Sequence, residues 1–91
     1  MAARFIKLHW FERESANHLK YMGEMAICVD EITYIEGSKF TLKNAKLTEA
    51  ETTLLTERNA SGILSILHTK IFDIPEVIVV ETVRDIYDMI R

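Results

Sequence analysis

The sequence predicts one α+β domain: a small, mostly antiparallel β-sheet of five or six strands with a single C-terminal helix packed on it. Three observations lead there. Short runs of alternating apolar and polar residues recur along most of the 91-residue chain. One run, Val77, Ile78, Val79 and Val80, is apolar at every position and reads as a central strand. Helical periodicity with a cap appears clearly only near the C-terminus. A chain this short makes one domain, 1–91, with a modest core.

The first strand is read over residues 5–11, with Ile6, Leu8 and Trp10 on one face and Lys7 and His9 on the other. Phe5 and Phe11 flank that second face. Residues 12–24 are polar and mixed and end at Gly23, so they read as a loop, or as one helical turn begun by Ser15. Residues 25–29 make a second strand and 32–36 a third. Gly37 and Ser38 read as a turn, and 39–43 alternate as a fourth strand.

Residues 44–58 support two readings. Thr48 and Glu51 match a capping box, which favours a short helix over 49–58. Thr52, Thr53 and Thr56 are β-branched and favour a strand, the reading preferred here. A turn at 58–62 leads into a buried strand over 63–69, and Pro75 marks a break before the central strand. Thr82 can cap the last helix, with Asp85 three positions on. Val83, Ile86, Tyr87 and Ile90 form its apolar stripe, and Arg84 and Asp88 sit four apart on the other side.

Composition narrows the function. Apolar residues make up 48% and charged residues 27%, which argues against disorder. The net charge of −3 removes a bulk basic surface for nucleic acid. Basic residues do gather early, at Arg4, Lys7, Arg13 and Lys20, whereas residues 49–91 are acidic on balance. Cys28 is the only cysteine, so no internal disulfide forms, which suits a reducing compartment. The N-terminus lacks the pattern of a signal peptide, and no stretch approaches about 20 apolar residues. The expectation is a cytoplasmic protein without membrane insertion.

No catalytic or cofactor signature emerges. His9, His18, His68 and Cys28 show no zinc-ligand spacing. The carboxylate pairs Asp30 and Glu31, Glu49 and Glu51, and Asp85 and Asp88 have simpler roles in turns, on solvated faces or at helix starts. Three scattered glycines make no phosphate loop. Trp10 and Phe11 beside Lys7, His9 and Arg13 suggest aromatic–basic interleaving for single strands. Core packing of Trp10 is the stronger reading, because it keeps step with Ile6 and Leu8. No catalytic residue, metal site or cofactor is expected.

Three segments carry a resemblance: Phe5 to Leu8, Ile27 to Glu36, and Val79 to Ile86. In this order they resemble the small FlbD-like proteins of flagellar operons and similar short proteins of bacteria and phages. The likeness covers roughly a third of the chain. It implies a fold rather than a catalytic set, and against it residues 37–61 look like an insertion. Residues 29–36 are also similar to a segment of LytTR DNA-binding domains, although the basic motif that follows in those domains is missing here.

The functional expectation is a non-enzymatic interaction or regulatory module that associates with itself, or with another protein. Its candidate interaction surface is Phe5, Lys7, His9 and Phe11, left bare because one short helix cannot cover both sides of the sheet. The competing expectations are a LytTR-like nucleic-acid binder, and a monomer in which 37–61 folds back over the bare side.

Overall fold

The computed structural model describes residues 3–91. Strands β1 (Phe5–Ser15) and β2 (His18–Cys28) form a long hairpin, and a 3-10 turn at Val29–Glu31 leads into β3 (Ile32–Thr41). A second 3-10 turn at Leu42–Asn44 precedes α1 (Glu49–Arg58); β4 (Ile63–Thr69), β5 (Glu76–Val79) and α2 (Val83–Ile90) follow. The strands form one antiparallel sheet in the order β2-β1-β5-β4-β3. β5, apolar and buried from Val77 to Val79, lies at its centre, as a strand buried on both faces requires.

The sheet cannot be flat. β2 and β3 are its opposite edges, yet they are joined by four residue steps from Cys28 to Ile32. Four steps reach at most about 14 Å, whereas the outer strands of a flat five-stranded sheet lie about 19 Å apart. The edges must therefore curl towards each other at that end, in the direction of α2.

Each face holds its own core. On one, Ile86 of α2 packs with Ile6, Leu8, Ile27, Ile35, Leu67 and Val79. On the other, Leu55 of α1 packs with Phe11, Leu19, Phe40, Leu64 and Val80. Residues 37–61 thus supply the cover of the second face, through Phe40, Leu42, Ala45, Leu47 and Leu55.

Sequence expectations are corrected in four parts of the chain. Residues 49–58 are a helix, not a strand. Both capping-box bonds form: the Glu51 amide donates to Thr48 Oγ1 (3.1 Å), and the Thr48 amide donates to Glu51 Oε1 (2.9 Å). The threonine hydroxyls that argued for a strand donate back to helix carbonyls, Thr52 to Thr48 (2.9 Å) and Thr53 to Glu49 (3.1 Å). The sheet therefore carries two helices rather than one.

Residues 12–24 are neither loop nor helical turn but the two arms of the hairpin, which turns at residues 16–17. Their alternation is broken by a bulge. Trp10 pairs with Gly23 and Phe11 with Tyr21, leaving Met22 unpaired, and Gly23 takes φ +93°. The bulge reverses which face the odd residues of β2 meet: Leu19 belongs to the core under α1, Ile27 to the core under α2.

Gly37 and Ser38 are not a turn. They lie inside β3, where the pairing shifts between Gly37↔Ser65 and Thr41↔Ile63, and Ser38 Oγ donates to the Leu64 carbonyl (2.8 Å). In α2, Thr82 caps the helix as expected, its Oγ1 accepting from the Asp85 amide (3.0 Å). Tyr87, however, is 47% exposed, and Met89 joins Val83 and Ile90 against the core instead. Arg84 does not pair with Asp88; Asp88 accepts from Arg91 (2.6 Å).

Candidate functional site

The pairing of β1 with β5 is short. It consists of Trp10↔Val79 and Phe11↔Ile78 and ends there, although β1 runs on to Ser15 and β5 begins at Glu76. Beyond this point the two strands part and a cleft of about 400 Å³ opens between them. Its walls come from both sides of the sheet: Phe11, Phe40, Ile66 and Ile78 from the α1 side, Trp10 and Ile74 from the α2 side. A hollow lined from both cores is what a parted sheet produces.

Two chain features border the cleft. The bulge at Gly23 bends the hairpin, and Arg13 swings over the Phe40 ring, 5.3 Å from its centroid. On the opposite wall, Pro75 ends the connection from β4, its carbonyl accepting from the Thr69 amide (2.9 Å), while Thr69 Oγ1 donates to the Ile74 carbonyl (2.7 Å). That fixed loop presents Phe72, 95% exposed, beside the cleft residues Asp73, Ile74 and Pro75.

The rim is acidic. Glu12, Asp73 and Glu76 line the cleft, with Arg13 as its one cation. The acidic margin continues along the same face. His68 lies between Glu36 (Nε2 to Oε1, 3.5 Å) and Glu76 (Nδ1 to Oε1, 3.9 Å), and Tyr34 stacks on its ring at 4.0 Å and 12°. The contact to Glu36 is not aligned as a hydrogen bond, so the buried His68 Nε2 has no partner. Tyr34 is 52% exposed, so the cover that α1 gives this face ends before it reaches β3's first half.

The four residues expected as one surface are divided. Phe5 (63% exposed) and Lys7 are open to solvent, whereas His9 and Phe11 are buried and cannot present a surface. Phe11 is part of the core under α1 and forms one wall of the cleft. His9 is held by Glu81: its amide donates to Oε1 (2.9 Å) and its Nδ1 meets Oε2 (2.8 Å). Glu24 approaches the other ring nitrogen at 4.0 Å. This bond set closes the β1–β5 pairing at the end away from the cleft, just past the backbone bond from the Val80 amide to the His9 carbonyl (3.0 Å).

The early basic residues do not gather either. Arg4 donates to the Met89 carbonyl at the end of α2 (2.7 Å), Lys7 borders a hollow of about 360 Å³ that also contains Asp85 and Asp88, and Arg13 is engaged with Phe40. Among the described residues, no group of three His, Cys, Asp or Glu side chains is arranged to hold a metal ion. No helix of the described residues is long and apolar enough to cross a membrane.

Sequence reasoning missed the cleft because its residues come from four separate segments and its shape depends on where pairing stops. Compared with protein-family models, curated proteins and solved structures, the chain finds no match.

Proposed function

We propose that this chain is a non-enzymatic interaction module whose binding surface is the cleft between β1 and β5. The observation that carries this reading is an apolar hollow of about 400 Å³ between two strands that stop pairing. An unpaired strand margin offers amides and carbonyls to another chain, and the apolar floor supplies burial. The titratable groups around it are those of a rim, with no nucleophile aligned on a base. The scatter of Arg4, Lys7 and Arg13 favours a protein partner over nucleic acid.

Trp10 is the only tryptophan and lines the cleft, so its emission reports occupancy. Short peptides screened by Trp10 fluorescence and amide shifts are expected to give binders that move residues 12–15 and 73–78. Binders that all map elsewhere would sink the reading.

A second reading, self-association, is favoured by Phe72. A phenylalanine 95% exposed, outside the cleft lining, is apolar surface that a second copy can bury without entering the cleft. The expected bare side of the sheet no longer supports it, since 37–61 covers part of that side. Pairing through the edges is also hindered by the bulges in β2 and β3.

A further inference from the structure

Resting on the cleft as the binding surface, we infer that its occupant is an extended, cationic segment of a partner protein, added as a strand along the free margin of β1. Two independent features give the two halves of this description. The first is backbone. Glu12, Arg13 and Ser15 pair with Lys20, Leu19 and His18 of β2 on one side, and β5 does not pair with them on the other. Such a margin is completed by another extended chain, which uses main-chain bonds for affinity and alternate side chains for specificity. Alternation lets one side of the incoming segment meet Phe11, Phe40, Ile66 and Ile78 while the other turns towards Trp10 and Ile74.

The second is charge. Glu12, Asp73 and Glu76 stand at the rim, and Glu36 extends the acidic margin past His68. Arg13, the one rim cation, already lies over Phe40. A segment with apolar residues flanked by Lys or Arg complements this rim, and one flanked by acids is repelled. A second copy seated cleft to cleft would bring two acidic rims together, so the inferred occupant is not this chain.

The test uses the full chain and three blocked peptides with one alternating valine–leucine centre, flanked by lysine, by serine or by glutamate. Binding is read by Trp10 emission and amide shifts, and strand addition by slowed amide exchange at residues 12–15. The lysine-flanked peptide is expected to bind at least about tenfold tighter than the glutamate-flanked one, by an amount that shrinks as salt rises. Glu12→Lys with Glu76→Lys, both exposed positions, should reverse the order. Equal binding of all three peptides in the cleft overturns the charge inference and leaves the interaction module standing. Binding without slowed exchange at 12–15 overturns the added strand. Failure of every peptide to move any cleft residue overturns both.

Discussion

His9 and Glu81 are joined twice in the interior: the carboxylate of Glu81 accepts the His9 amide at 2.9 Å and meets the ring Nδ1 at 2.8 Å. One carboxylate therefore closes both the backbone and the side chain of a residue 72 positions away. It stands where continued pairing with β5 would otherwise be needed, and it joins β1 to the residues that start α2. Removing it leaves a buried amide and a buried imidazole without partners. Glu81→Ala is expected to cost about 2–4 kcal/mol, read as a lower urea midpoint. Glu24→Ala, which removes only the 4.0 Å contact from an exposed side chain, should barely move it. Equal effects from the two would show that the double bond to Glu81 is not what holds this joint.

The docking of α2 rests on Ile86. It is fully buried among Ile6, Leu8, Ile27 and Leu67, whereas Asp88 on the opposite side reaches only the exposed Arg91. Eight residues do not hold a helix in water by themselves, so packing must hold it. Ile86→Ala is expected to lower stability by about 2–5 kcal/mol, and Asp88→Ala by well under about 1 kcal/mol. Thermal unfolding compares the two; similar small shifts in Tm would contradict a docked helix.

The strands the sequence disclosed most fully are those read as buried runs rather than by alternation. β4 is mostly apolar, and the central place of β5 follows from Val77 to Val80 being apolar throughout. The hairpin was half legible. Residues 5–11 keep one parity, but the extra residue at Met22 shifts the pattern, and an exposed arm carrying Glu12, Arg13 and Glu14 has no apolar face to read. Helix α1 was hidden for a different reason. Leu55 is its one buried residue, so no stripe marks it, and the decisive signal was local: Thr48 and Glu51 at capping distance. The cleft was not legible at all. It depends on how far β1 and β5 pair, and no periodicity encodes the place where two strands stop.

Tyr21 gives the alkaline limb of stability a specific origin. Burial is the first cause holding its phenol above the ordinary value of 10.0, and Glu51, Glu24 and Glu81 push the same way against a smaller opposing effect of Arg58. A group whose folded pKa is raised binds its proton more tightly in the folded state. Its contribution is present in full below the unfolded pKa near 10 and is lost as pH rises through that value towards the folded one. Unfolding midpoints are therefore expected to fall above about pH 10, and Tyr21→Phe should flatten that limb while leaving neutral pH little changed. An unchanged alkaline slope in Tyr21→Phe would assign the loss to other groups.

Phe72 makes the self-association reading decidable. The loop that bears it is fixed by Thr69, whose side chain donates to the Ile74 carbonyl (2.7 Å) and accepts from the Ile71 amide (3.1 Å). The ring is therefore presented by a built loop rather than left on a loose one, and it stays 95% exposed. Burying one aromatic ring contributes about 1.5–3 kcal/mol, which alone supports only weak association. Sedimentation equilibrium over a wide concentration range should thus show a mass that begins at 10.5 kDa and climbs at the highest concentrations. Phe72→Ser should hold it at the single-chain value without shifting Tm, because an exposed ring adds little to the fold. Reciprocal contacts through Phe72 pair copies by a two-fold axis, so the climb should level at twice the single-chain mass. A mass fixed at one chain throughout removes self-association and leaves the cleft to a partner of different sequence. A climb that survives Phe72→Ser would place the contact on another surface.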